Sequence, residues 1–225
     1  MRRLVDLSHE IEHGLETYRG LPPPVISDYL SRERSRSNYA PGTEFQIGRI
    51  EMVATTGTYL DSPFHRHADG ADLAALPLEK LADLDAMVVR HPFERGRAID
   101  APEFAAIEAG RGPIRGRAVL VATGWDRHWR TERYFDGHPF LTSAAARLLV
   151  ERGATLVGID SLNIDDTADL ARPVHTLLLA AGIPIVEHLA GLAALPDARL
   201  RFHAVPPKVK AFGTFPVRAF AIVDE

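Results

Sequence analysis

The chain contains no cysteine. That absence excludes disulfide scaffolds, thiolate nucleophiles, iron–sulfur clusters and cysteine-based zinc sites, so any metal must be held by histidine and carboxylate groups. A surplus of positive charge is missing too: 26 Lys and Arg stand against 30 Asp and Glu, a net charge of −4 over 225 residues, which gives no electrostatic footprint for nucleic acid. Short basic clusters at residues 31–36 and 111–117 are broken by Ser, Gly and Pro and read as solvated loops. No window approaches the ~18 uncharged apolar residues of a membrane span. The N-terminus reaches Asp6 after only Leu4 and Val5, too soon for a secretory signal. The expectation is a soluble, cytoplasmic protein with no nucleic-acid or membrane partner.

What the sequence does contain is 46% apolar residues, over a length that allows a sizeable core, and 10 histidines. Short apolar runs at residues 87–89, 118–122, 156–159, 183–186 and 217–223 are bounded by turn residues, and their brevity and Val/Ile content predict strands. Helical signals lie between some of them. Asp100 caps residues 101–109, with Pro102 in the first turn and Gly110 beyond the end; Thr142 or Ser143 caps a helix through Arg152 that Gly153 stops. Two shorter helices fit residues 174–181 and 188–194. Loop-rich stretches at residues 18–42 and 123–139 break any strict βαβ alternation, and both carry aromatic residues. With no repeat or linker to divide it, the chain reads as a single α/β domain of mixed sheet over residues 1–225.

The densest polar constellation is Thr55-Thr56-Gly57-Thr58-Tyr59-Leu60-Asp61-Ser62-Pro63-Phe64-His65-Arg66-His67. Gly57 and Pro63 make it too irregular for a helix, so backbone geometry sets the separation of Asp61 and His65. Such a pair suits a metal ligand and a general acid/base, or forms a surface pair without function. A second constellation joins His175, at a predicted helix start, to Glu187, at the end of the run 183–186. A carboxylate after a buried run must be exposed at the strand tip or satisfied by a partner, and strand ends in α/β sheets are where sites assemble. The plainer reading makes His175 a solvated helix start and Glu187 a strand terminator.

These residues resemble the cyclase-like metal-dependent hydrolases that include bacterial kynurenine formamidase and isatin hydrolase, whose motif runs His-x-Gly-Thr-His-x-Asp-x-Pro-x-His. The corresponding stretch runs from Thr55 to His65. The resemblance extends along nearly the whole chain, through Val5-Asp6-Leu7-Ser8-His9, Thr123-Gly124-Trp125, His138-Pro139-Phe140-Leu141, Gly158-Ile159-Asp160-Ser161, His175, Glu187 and Pro216-Val217-Arg218-Ala219. It implies a compact mixed α/β fold, a largely antiparallel sheet or barrel-like core with packed helices, in a homodimer or homotetramer. The implied activity is hydrolysis of a small-molecule amide C–N bond, of the aryl formamide or cyclic amide type, by a water activated on one divalent metal, zinc or manganese. By position Asp61, His175 and Glu187 are the implied metal ligands, with Asp61 and His65 the catalytic pair and His65 the acid/base. Tyr59, Tyr18, Phe64 and Trp125 are the implied substrate-binding aromatics.

Two departures qualify that picture. Thr55 and Tyr59 stand where the motif has imidazole ligands, and neither a neutral hydroxyl nor a protonated phenol is a good zinc ligand. Three ligands still suffice for a catalytic zinc site, and a His-plus-two-carboxylate set suits zinc or manganese. His67 or His203 could supply a missing imidazole, or be satisfied elsewhere. Tyr59 either donates to a substrate oxygen or to Asp61, or its ring fills the vacated volume. Two alternatives to the metal hydrolase follow: a metal-free relative that binds a small molecule without turnover, and a metal-independent hydrolase using Tyr59, Asp61 and His65. Arg19, after Tyr18, either marks a pocket mouth suited to a carboxylate substrate or is solvated.

Overall fold

Alternation of side chains along four buried strands organises the molecule. The computed structural model describes residues 2–224, whose elements in order are β1 (Arg2–Asp6), β2 (Val25–Leu30), α1 (Arg32–Ser35), β3 (Ile47–Glu51), β4 (Tyr59–Asp61), β5 (Leu84–Arg90), β6 (Ala98–Ile99), α2 (Ala101–Arg111), β7 (Ala118–Ala122), β8 (Phe140–Leu141), α3 (Ser143–Arg152), β9 (Leu156–Ile159), α4 (Pro173–Ala180), β10 (Ile185–Glu187), β11 (Leu200–His203), β12 (Thr214–Pro216) and β13 (Phe220–Asp224). Nine strands form one mixed sheet in the order β1-β13-β11-β5-β7-β9-β10-β4-β12. Neighbours from β5 through β7 and β9 to β10 pair in parallel. The remaining pairs, on both flanks, are antiparallel.

The parallel centre is covered on both faces, which is why its strands are continuous apolar runs. Met87, Val89, Val119, Val121, Val157 and Ile159 face a helix layer contributed by Phe104, Leu149 and Leu178. The intervening Ala86, Val88, Leu120 and Leu156 face the other way, onto Leu189, Leu192 and Phe202. Helix α3 starts and stops where its sequence says: the Thr142 side chain accepts from Ala145 N, and Gly153 closes it at φ 71°. Helix α2 runs one residue past Gly110, to Arg111, with Gly112 as its C-cap.

The predicted helix over 188–194 does not form. His188 is left-handed at φ 54°, and only a 3-10 turn, Leu192–Ala194, follows. The backbone there is bonded to other elements instead: Leu189 N donates to Ile159 O, Ala190 N to Leu7 O, and the Thr58 hydroxyl to His188 O. Tertiary bonds thus take the groups a helix would use. The strand expected over 217–223 covers only β13, because Val217 N is diverted to Thr58 O. Residues 18–42, read as loop, include β2, which pairs with β3 as an antiparallel ribbon whose side chains are almost all exposed. The basic cluster at 111–117 is less solvated than its composition suggests, since Arg111 bonds Val88 O and Asp197 while Arg117 pairs with Asp85 at 2.8 Å. No helix among the described residues is long and apolar enough to cross a membrane.

Leu120 is fully buried in the centre of the sheet, whereas Leu4 on edge strand β1 is 69% exposed. Urea unfolding should show Leu120→Ala losing about 2–5 kcal/mol, and Leu4→Ala staying within about 0.5 kcal/mol of the parent. Equal losses at the two positions would contradict this placement of the core.

Candidate active site

Strand β4 is three residues long and lies between β10 and β12, so each of its residues has two cross-strand neighbours. Tyr59 is in register with Glu187 and Pro216, and Asp61 with Ile185 and Thr214. Register alone therefore brings the motif loop to Glu187, more than a hundred residues later. The Tyr59 hydroxyl donates to Glu187 Oε2 at 2.5 Å, and the Thr214 hydroxyl donates to Asp61 Oδ1. Beyond β4 the chain turns at once: Pro63 opens a 3-10 turn, Pro63–His65, which returns His65 to place Nδ1 3.8 Å from Asp61 Oδ1 and 2.7 Å from Thr214 Oγ1. Before β4, Gly57 holds φ 65° and lies against Ile11, where a side chain would clash.

His175 enters from the first turn of α4. That helix has no side-chain cap from Arg172; instead Asp165, in the loop after β9, accepts from Val174 N, His175 N and His175 Nδ1, the last at 2.6 Å. One carboxylate thus caps the helix and fixes the imidazole, leaving Nε2 as the free nitrogen. His175 Nε2 lies 3.6 Å from Asp61 Oδ2 and 3.7 Å from Glu187 Oε1. Asp61, His65 and His175 each offer a donor atom, all within 4.8 Å of one another.

Asp61, Asp165 and Glu187 are all at most 1% exposed, and that concentration of acid sets the electrostatics. Burial and the charge of Asp61 push Glu187 up to about 7, against the pull of His175. Burial opposes charge on His175 as well, but Glu187, Asp165 and Asp61 outweigh it and raise it to about 10. The cluster demands positive charge. Asp61 Oδ2 is buried without a hydrogen-bond partner among the described residues, and such an atom is costly unless a cation or proton meets it. Among the described residues, the donors close enough together to share one ion are those of Asp61, His65 and His175; Glu187, predicted as a ligand, is not in that group, although its Oε1 lies 3.7 Å from His175 Nε2, against the spacing of about 3.4 Å between ligands about 2.1 Å from a tetrahedral ion. Glu187 Oε1 accepts from Ile164 N at 2.6 Å, and a carboxylate oxygen with one such bond keeps a second lone pair for a ligand bond.

Tyr18, Trp125, Trp129 and Tyr134 pack in one apolar cluster with Leu162, and Tyr18 reaches Tyr59. The Tyr18 hydroxyl donates to Leu162 O at 2.6 Å, contacts the Tyr59 hydroxyl at 3.0 Å and accepts from Asn163 Nδ2 at 2.9 Å. Burial and the nearby carboxylates hold both phenols well above the usual tyrosine range, so Tyr59 is neutral and acts as a donor, to Glu187 and not to Asp61. Trp125 is enclosed, its indole donating to Tyr134 O at 3.0 Å, and Phe64 is half-buried on the turn before His65. Trp129 stacks on His9 at 3.9 Å between centroids. The loop bearing these rings is anchored by Asp160, which accepts from Thr123 N at 2.8 Å and Gly124 N at 2.9 Å. Arg19 is neutralised by Glu132 at 2.7 Å and Asp136 at 3.2 Å and ties the two long loops together. His67 bonds Thr176 O and His203 stacks on Phe220, so neither belongs to the donor group.

Reading the sequence left out Asp165, Asn163 and Thr214. Asp165 had a signal, since Asn163-Ile164-Asp165-Asp166 follows an apolar strand at its C-terminal end. Thr214 had none.

The chain belongs to the Cyclase family, whose model, described as "Putative cyclase", matches residues 5–166. It is similar to the kynurenine formamidases of Bacillus cytotoxicus and Bacillus cereus, 28% identical to each over 219 residues, a span of 96% of this chain and 95% of each relative. In fold it is similar to isatin hydrolase A from Labrenzia aggregata bound to benzyl benzoate, with TM-score 0.85 at 23% identity, covering 100% of this chain and 94% of that one.

The His9 imidazole against Trp129 generates a pH prediction. Burial, with Arg130 nearby, lowers His9 from 6.5 to about 4. Between those values the unfolded chain binds the extra proton, so the contribution of His9 to stability is full above about pH 6.5 and shrinks as pH falls toward 4. Urea midpoints measured across that window should fall more steeply for the parent than for His9→Gln; parallel curves would refute it.

Proposed function

We propose that this chain is a hydrolase acting on the C–N bond of a small-molecule amide, of the aryl formamide or cyclic amide type, with Asp61, His175 and Glu187 holding one divalent cation. The observation that carries the reading is the unpartnered, buried Asp61 Oδ2 facing His175 Nε2 at 3.6 Å, in a chain matched over 96% of its length by kynurenine formamidases. One imidazole and two carboxylates form a set suited to zinc or manganese. A divalent ion bound there supplies Lewis acidity, lowering the pKa of a water toward ~7 and polarising a carbonyl oxygen.

The residues of the chain do the rest. Asp165 fixes the His175 ring through Nδ1, and Tyr59 and Ile164 N hold the two oxygens of Glu187 in place. His65, whose side chain is 39% exposed, is the group able to exchange protons with a substrate: it takes one as the nucleophile forms and returns it to the leaving nitrogen. Tyr18 and Tyr59 adjoin the carboxylates and, with Phe64 on the turn of His65, suit a flat, aromatic amide, while Trp125 acts by fixing its loop. Tyr59 stays engaged with Glu187, so its role is to orient that carboxylate.

Two variants test the assignment, with N-formylkynurenine and isatin as substrates and elemental analysis of protein purified without chelator. His65→Ala should lose about 10²–10⁴-fold in turnover and keep its metal; Asp61→Asn should lose the metal and activity together. Full activity in EDTA-treated protein would favour chemistry through Tyr59, Asp61 and His65 without metal. A metal-free parent that binds these compounds without turnover would make it a binding protein.

We further propose that the chain self-associates through the β2–β3 ribbon. Ile26 and Ile50 are exposed cross-strand partners on one face of the ribbon. A two-stranded ribbon is marginal by itself. Light scattering should show a dimer or tetramer that dissociates in Ile26→Lys/Ile50→Glu; a monomeric parent would end the proposal.

A further inference from the structure

The hydroxyl of Thr214 is shared between two groups of the site, and a proton count decides what it does. Thr214 is buried on β12, in register with Asp61, and its Oγ1 contacts both Asp61 Oδ1 and, at 2.7 Å, His65 Nδ1. A hydroxyl has one proton to give. Asp61 Oδ1 is the acceptor of that hydroxyl, a carboxylate oxygen having no proton to give. The Thr214 proton therefore goes to Asp61 Oδ1. What the hydroxyl then offers His65 is a lone pair, and Nδ1 must be the nitrogen that carries the proton. Neutral His65 is left with its lone pair on Nε2.

The backbone beside Thr214 supports the same arrangement independently. A Cβ added to Gly213 would lie 2.6 Å from His65 Cα and 2.7 Å from His65 N, closer than real atoms approach. Ser62 N, one residue beyond β4, donates to Gly213 O at 2.7 Å. The chain at 213–214 is thus pressed against the turn that carries His65, and only glycine allows that approach. The clamp comes from the far end of the chain, outside residues 5–166 matched by the family model.

We propose that Thr214 is a positioning residue that sets the tautomer of His65, holding the proton on Nδ1 so that Nε2 is the nitrogen that takes a proton from the reacting groups. This rests on the reading of His65 as the acid/base, and a measurement on the ring itself separates the two. In the full chain labelled with 15N-histidine, chelator-treated and again loaded with diamagnetic zinc, long-range 1H–15N correlation at pH 8 reports which nitrogen of His65 is protonated.

The expected result for the parent is a protonated Nδ1 in both forms. In Thr214→Val, Nδ1 loses its acceptor, the proton moves to Nε2 in the chelator-treated form, and turnover of an amide substrate falls about 10²-fold. Thr214→Ser, which keeps the hydroxyl, restores both the tautomer and the rate. A purely structural role predicts that Val, which fills the same volume, leaves the tautomer unchanged. The proposal is overturned by a parent His65 protonated on Nε2, or by a folded Thr214→Val with Nδ1 still protonated. If the tautomer shifts as expected while the parent hydrolyses nothing, the role of Thr214 stands and the hydrolase reading falls.

Discussion

Asp61 and Glu187 bury two carboxylates in a β-sheet, 3.6 and 3.7 Å from His175 Nε2, and buried acid must be matched by a proton, a hydrogen-bond donor or a cation. Most of the local architecture follows from this demand. Asp165 sits behind His175 and binds Nδ1, so the ring presents Nε2 to both carboxylates. Tyr59 and the Ile164 amide bond Glu187, while Thr214 bonds Asp61. Asp61 Oδ2 is left without a hydrogen-bond partner among the described residues, 3.6 Å from His175 Nε2.

The two hydroxyl residues standing where the resemblance places imidazoles acquire distinct meanings. Thr55 lies on the loop before β4. Tyr59 is part of the sheet, and its register with Glu187 fixes where its hydroxyl points. Burial keeps it a neutral phenol, so it contributes a hydrogen bond to the second carboxylate and no charge. In the proposed ligand set of Asp61, His175 and Glu187, oxygen donors outnumber nitrogen, which would favour harder metals than a histidine-rich centre.

The legible parts of the sequence were those dictated by local rules. The parallel strands announced themselves because burial on both faces makes them uniformly apolar, and α3 because Thr142 and Gly153 bracket it. Asp61, His65, His175 and Glu187, singled out by their chemistry and a family resemblance, lie near one another in the structure. What was hidden depends on tertiary pairing. Strands β4 and β12 are three residues each and have no pattern of their own, and they exist because they pair beside β10. Thr214 is a polar residue of common type whose place beside Asp61 appears only through strand register, and Asn163, in the loop after β9, is placed by tertiary contact with Tyr18. The run 188–194 looks helical locally, and three backbone bonds to distant residues override it.

The central claim is that the buried acid around His175 is balanced by a metal ion. Anomalous diffraction from crystals grown with zinc or manganese, collected on both sides of the absorption edge of the metal, tests it most directly. The account predicts one strong peak within coordinating distance of Asp61 Oδ2, His175 Nε2 and Glu187 Oε1. A map without such a peak, with the His175 ring bridging the two carboxylates as an imidazolium, would contradict it.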